Sequence, residues 1–245
     1  MTQDSAAKFD TSRAGEYAEQ ARIALAGYDA CHELSACMLS AALGAGGSAR
    51  VLVAGAGGTA GEIVAAARLE PGWTFTAVDP SPPMLALARD RLAAEGLAAR
   101  VETVPGTVAD LDPRPGFDAA ILIGVLHHLP GDAAKRALLG QIAQRLRPGA
   151  PLVLAGNVRP YASEPLLLAA WAARWRMHGA APEEVEAKMA KILQGAEPPA
   201  SEDALAALLT GAGFGAPLRL GARTAGWPGR TARTCPCPAR SRSRW

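Results

Sequence analysis

Long apolar runs are missing from this chain of 245 residues. No stretch reaches the roughly eighteen consecutive apolar residues that a membrane-crossing helix needs. The N-terminus, MTQDSAAKFD, carries early acids and no apolar core, so no secretory leader is expected. Cysteine is scarce as well. The four residues Cys31, Cys37, Cys235 and Cys237 are too few and too unevenly placed for a disulfide framework. A reducing, cytoplasmic compartment is therefore the expectation. No Cys/His spacing marks a metal site, and the pair Cys235-Pro-Cys237 supplies only two thiols. Heptads, solenoid periods and the collagen triplet are absent too, which excludes those architectures.

Charge of one sign is lacking only on average. The formal net charge is +2, from 25 basic and 23 acidic residues. Six arginines and no acid follow Gly221, so an acidic body of −4 joins a basic tail of +6. An acidic body argues against general nucleic-acid binding, which needs a basic surface to displace counterions. Aromatic residues make up 5% of the chain, so each large ring carries more meaning than usual.

What is present is an alternation. A helical region runs from Ala14 to about Leu43, broken near Gly27, and Gly44 to Ser48 stops it. Strands are expected at 51–54, 74–78, 100–104, 119–123 and 151–155. Helices are expected at 61–69, 83–95 and 133–146. Alternating strands and helices imply an α/β fold, a parallel Rossmann-like sheet with helices on both faces. A ligand then binds at the carboxyl ends of the strands, where the strand order reverses. Residues 157–200 break the alternation and read as a helical cap inserted after strand five. A last helix begins at Ser201 and stops at Gly211–Gly215, and a final strand is expected at 217–220.

Two features point to the ligand. Gly55-Ala56-Gly57-Gly58-Thr59-Ala60-Gly61 joins the first strand to its helix. Such a loop lets a ligand approach the main chain, and the helix N-terminus behind it offers unpaired N–H groups. By itself it is also what any tight strand–helix turn looks like. Asp79-Pro80 then places a carboxylate at the end of strand two, where an acid accepts hydrogen bonds from ribose hydroxyls. A nicotinamide dinucleotide and S-adenosylmethionine both satisfy this pair.

The next motifs separate them. Asp79-Pro-Ser-Pro-Pro-Met84-Leu-Ala-Leu-Ala-Arg89 resembles the segment after the first motif of class I S-adenosylmethionine-dependent methyltransferases. Phe117-Asp118-Ala-Ala-Ile-Leu-Ile-Gly-Val-Leu-His127-His128-Leu-Pro resembles their fourth-strand motif. Leu146-Arg147-Pro148-Gly149 resembles the turn into their fifth strand, and Ala212-Gly213-Phe214 the turn after their last helix. Within that class the chain looks most like the carboxy-S-adenosylmethionine synthases of tRNA wobble-uridine modification. Phe9-Asp10, Arg22, Gly27-Tyr28 and the helical insertion from Leu166 to Ile192 carry that likeness.

The resemblance implies S-adenosyl-L-methionine as cofactor. It implies that Tyr28 reaches toward the cofactor, that Gly55, Ala56 and Gly57 line its methionine part, and that Asp79 and Pro80 meet ribose and adenine. Thr107 and Val108 would flank the adenine, and Ile123 would touch the cofactor from strand four. By its place after strand four, His127 is the candidate general base, with His127 and His128 as plain turn residues contacting backbone as the alternative. Arg22 is a candidate partner for the cofactor carboxylate, with a solvated helix face as the alternative. Trp171, Trp175 and Met189 of the cap are the candidate substrate wall, with plain core packing as the alternative. His32 and His178 read as structural.

Several positions depart from the family pattern. Val53 stands where many relatives carry an acid, Thr59 where a third glycine is usual, and Thr107 where an Asp is common. These changes predict weaker cofactor binding. Met189 stands where the synthases use an arginine for the extra carboxylate, and a thioether cannot replace a guanidinium fork. Methyl transfer to a small molecule is thus the leading expectation. Carboxy-S-adenosylmethionine synthesis and a non-catalytic cofactor-binding role are the alternatives. The expected partner is a small-molecule substrate, with no membrane, and a homodimer is compatible. The methyltransferase domain is expected over 1–220, with the cap at about 157–200. Residues 221–245 read as a basic tail that is disordered, non-homologous or an interaction arm, and no seventh strand is legible there.

Overall fold

The computed structural model describes residues 17–219 and the backbone of 229–234. The expected break at Gly27 separates α1 (Tyr17–Ala24) from α2 (Tyr28–Leu43). Gly27 has φ 79°, a left-handed conformation that lets the chain turn between the two helices. The alternating region follows as β1 (Arg50–Ala54), α3 (Gly61–Leu69), β2 (Thr74–Asp79), α4 (Pro82–Ala94), β3 (Val101–Pro105), β4 (Ala119–Ile123), α5 (Gly131–Arg145) and β5 (Leu152–Asn157). The cap contains α6 (Pro165–Met177) and α7 (Pro182–Gly195). The described chain continues with α8 (Glu202–Gly211), β6 (Pro217–Arg219) and β7 (Gly229–Thr234).

Sheet order is β3-β2-β1-β4-β5-β7-β6. The five strands β1 to β5 pair in parallel, while β7 runs antiparallel to both β5 and β6. The fold is therefore the expected α/β Rossmann-like sheet. Each strand serves both layers. Val51 and Val53 of β1 pack with Leu39, Ile63 and Phe75 on one face. Leu52 and Ala54 pack with Leu139, Ile142 and Leu208 on the other. Side chains alternate across a strand, so a sheet covered on both faces must be apolar at successive positions, as β1 and β4 are.

The seventh strand corrects the sequence reading. Segment 229–234 reads GRTART, with no apolar alternation, yet its backbone pairs with β5 from Asn157↔Gly229 to Leu152↔Thr234. Main-chain hydrogen bonds to the exposed edge of β5 do not require apolar side chains, so the pattern gave no signal. Residues 1–16, 220–228 and 235–245 lie outside the described residues, and with them Phe9-Asp10 and the Cys235/Cys237 pair.

The cap is tied to α1. The carbonyls at the end of a helix lack internal partners. Here Trp171 Nε1 donates to Ala24 O at 3.0 Å, and Arg174 donates to Ile23 O at 2.6 Å and to Arg22 O at 2.9 Å. Trp171, Trp175 and Val185 bury themselves with Ile23, and Met189 and Ile192 pack against that cluster.

Candidate active site

Strand order reverses between β1 and β4, so the loops leaving them diverge and open a crevice at the carboxyl edge. The glycine loop fills one side of it. Gly55, at φ 73°, donates from its N–H to Val78 O at 2.8 Å. A Cβ there would sit 2.2 Å from Val125 Cγ2, so a side chain would have to displace Val125 and adopt a strained backbone. At Gly57 a Cβ would sit 2.6 Å from both Asp79 Oδ2 and Met84 Cβ.

Asp79 closes on that loop. Its Oδ2 accepts the Gly57 N–H at 2.9 Å, and its Oδ1 accepts the Ser81 N–H at 2.8 Å. The residue is 9% exposed. Burial raises its carboxyl above the usual range, and the two N–H groups oppose that shift. The sequence thus builds a rigid carboxylate at the end of β2, fixed by the loop it faces.

Two tyrosines roof the loop. Tyr28 packs over it, its hydroxyl 2.6 Å from Thr59 Oγ1, and burial pushes its phenol well above the ordinary value. Tyr17 lies against Gly58, where a Cβ would come within 2.4 Å of its ring. Burial, then the charges of Glu62 and Asp79, push Tyr17 up to about 12. Tyr17 was not singled out in the sequence; the signal was its rarity, as one of three tyrosines, in the helix just before Tyr28.

Beneath the loop lies a buried pair. Glu62, in the first turn of α3, is 3.7 Å from His32 Nε2 of α2. His32 presses on Gly61, where a Cβ would meet its Nδ1 at 2.2 Å, and it stands edge-on to Tyr28 at 4.4 Å. Burial drives Glu62 up to about 7 and His32 down to about 4. His32 therefore packs under the loop, in keeping with a structural role. Glu62 was missed, because an acid in a helix first turn reads as ordinary dipole complement.

Thr107 caps a single 3₁₀ turn after β3, exchanging hydrogen bonds with Asp110, and Val108 of that turn is buried. Pro80 is exposed beside Asp79, and Ile123 ends β4 half-buried. Tyr28, Gly55, Ala56, Gly57, Asp79, Pro80, Thr107, Val108 and Ile123 thus all stand at the carboxyl edge of β1 to β4 or in the helix above it. Arg22 instead pairs with Asp29 at 2.9 Å on the surface.

His127 and His128 occupy the 3₁₀ turn after β4, with ring centres 4.1 Å apart. His127 O accepts the Glu197 N–H at 2.7 Å, so the chain leaving the cap is fastened to this turn. Glu197 also accepts the Gly131 N–H at 3.0 Å. Trp171 and Trp175 are buried and Met189 half-buried in the cap's own cluster, with Lys188 Nζ 4.0 Å from the centre of the Trp175 ring. Among the described residues no group of three or more His, Cys, Asp or Glu could hold a metal ion, and no helix is long and apolar enough to cross a membrane.

Residues 52–152 match the family model described as a methyltransferase domain. That segment of the chain is similar to methyltransferase domains. The chain is 36% identical over 94 residues to the carboxy-S-adenosyl-L-methionine synthase of Chromohalobacter salexigens, a stretch covering 38% of this chain and 34% of that protein. Among solved structures it superposes on a putative O-methyltransferase from Nostoc punctiforme, with TM-score 0.60, 17% identity, and coverage of 83% of this chain and 55% of the other. It also superposes on human N-acetylserotonin methyltransferase, solved in complex with S-adenosylmethionine, with TM-score 0.54 and 16% identity. There 83% of this chain and 51% of the other are covered. The chain thus matches about a third of that synthase's length and about half of each solved structure's. At these identities the structural matches establish the fold alone, the Rossmann-like α/β sheet.

Proposed function

We propose that the chain is an S-adenosylmethionine-dependent methyltransferase acting on a small-molecule acceptor. One observation carries this reading: Asp79 faces the glycine loop with both carboxylate oxygens held by main-chain N–H groups. A carboxylate accepts about four hydrogen bonds. Two are used here, and the remaining capacity suits the two hydroxyls of a ribose. The bare main chain at Gly55, Ala56 and Gly57 takes the methionine portion, with Tyr28 above it. Pro80, Thr107, Val108 and Ile123 border the nucleoside.

When bound, the cofactor supplies a sulfonium methyl group that is already reactive. The chain's own residues then provide alignment, which brings an acceptor atom in line with the S–CH3 bond. The cap, with Trp171, Trp175 and Met189 in its interior, closes the acceptor side and excludes water. The His127 imidazole, at the carboxyl edge of β4, receives the proton an acceptor hydroxyl must lose.

Titration with S-adenosylhomocysteine tests the reading. Binding in the micromolar range is expected, because Val53, Thr59 and Thr107 replace polar or glycine positions of the family pattern. Submicromolar binding would contradict the argument from those departures, and no binding would contradict the reading itself. The likeness to a carboxy-S-adenosyl-L-methionine synthase favours that activity as a second reading. Met189 speaks against it: a thioether packed with Trp171 and Trp175 offers no fork for a carboxylate. The mass of the cofactor that co-purifies with the chain separates the two.

A further inference from the structure

Asn157 is the last residue of β5, at the same carboxyl edge as Gly55, Asp79 and Ile123. Register pairs Ile123 of β4 with Ala155, two residues earlier, so Asn157 stands one strand repeat beyond the end of β4. Side chains alternate along a strand, which places Asn157 on the face of Val153, the face covered by α2 and α3. On its other side its register partner is Gly229 of β7.

The amide is buried, at 4% exposed, and only half used. Its Nδ2 donates to the Tyr161 hydroxyl, while its Oδ1 is buried without a hydrogen-bond partner among the described residues. Tyr161 lies on the 3₁₀ turn that leads into the cap and packs against α6 and α7. A buried carbonyl oxygen without a donor costs stability, and such groups are rare in folded proteins unless something binds them.

We propose that Asn157 is a substrate-binding residue whose Oδ1 accepts a hydrogen bond from an uncharged hydroxyl or amine of the acceptor. This rests on the small-molecule methyltransferase reading above and adds its specificity. Tyr161 is a positioning residue: by engaging Nδ2 it fixes the amide and leaves Oδ1 to accept from another donor. An amide oxygen offers no charge to an anion, so the group it selects is a neutral donor. Acceptors lacking that donor leave the oxygen unpaired and are discriminated against.

Phenol and toluene, matched in size and differing by one hydroxyl, are the probes. Each is titrated by saturation-transfer NMR into the full chain, with and without S-adenosylhomocysteine. The wild type is expected to bind phenol at least about fivefold more tightly than toluene, the worth of one hydrogen bond. Asn157→Leu, which removes the amide at similar volume, should bring the two within about twofold. It should leave the melting temperature unchanged or higher, whereas loss of a merely structural amide would lower it. Should the Leu variant not fold, Asn157→Ala is read by the phenol-to-toluene ratio alone, since truncation at a buried position lowers the melting temperature whatever the role of the amide. No preference for phenol in the wild type, or an undiminished preference in the variant, would overturn the inference. Failure of S-adenosylhomocysteine to bind would strike the methyltransferase reading instead, and the phenol-to-toluene ratio without it still decides this one.

Discussion

Replacing Glu62 with Gln should stabilise the protein, and by more at pH 8 than at pH 5. The carboxyl lies under the glycine loop at 7% exposed, with His32 as its 3.7 Å neighbour. Burial lifts it from 4.5 to about 7, so the folded state holds its proton more tightly than the unfolded chain does. A raised carboxyl stabilises the fold below its unfolded value, and that contribution is lost as pH rises through about 7. At pH 8 the wild type must keep a buried charge that the unfolded chain carries freely. The shift corresponds to about 3 kcal/mol. At pH 5 the folded group is protonated and the cost falls to about 1 kcal/mol.

Gln mimics the neutral acid and removes the titration. Its gain should therefore be about 2 kcal/mol larger at pH 8 than at pH 5. His32 is neutral in the fold across that range, because burial lowers it to about 4. Its own linkage has the opposite sign: stability is fully present above the unfolded 6.5 and lost as pH falls through about 4. That slope is common to both proteins and cancels between them. Urea unfolding of each at the two pH values measures the difference. Equal effects at both, or a loss of stability at pH 8, would refute the burial argument.

Asp79→Asn keeps the shape of the side chain but turns a two-oxygen acceptor into one oxygen and one donor. S-adenosylhomocysteine affinity should fall by about tenfold or more, read by calorimetry. His127→Ala should lower turnover by about a hundredfold if the imidazole takes the proton; unchanged turnover would end that role. Trp171→Ala removes a buried ring and the donor to Ala24 O, and losses of about 3–5 kcal/mol are typical of such truncations. Hydrogen exchange should then quicken in α1, α6 and α7 while β1, β4 and β5 stay protected; uniform quickening would show that the cap is not a separate cooperative unit.

The alternating core was legible because its signals are local. β4 and most of β1 are unbroken apolar runs, the glycine loop sits between a strand and a helix, and a proline opens α4, expected from 83 and found from Pro82. Asp79 was legible as an acid at the end of β2, but its hydrogen bond from the Gly57 N–H was seen only in the structure. β7 was not legible, because an antiparallel strand held by main-chain bonds need not carry an apolar stripe. Nor were Tyr17 and Glu62. Their roles arise only when α1 and α3 close on the loop from above and below, contacts no periodicity encodes.

The scarcity of large side chains was visible at once and was half informative. It singled out Trp171 and Trp175, and the fold buries both in the cap against Ile23 of α1. Sequence alone determined the class of sheet, the loop and the acid that faces it. It could do so because backbone turns and strand burial constrain residue type directly. Only the tertiary structure decided that β5's edge is closed by β7, that His32 and Glu62 share one buried space, and that Asn157 ends with an oxygen unpaired. Those depend on long-range packing, where residues far apart in the chain set each other's solvent, and sequence spacing carries no record of that.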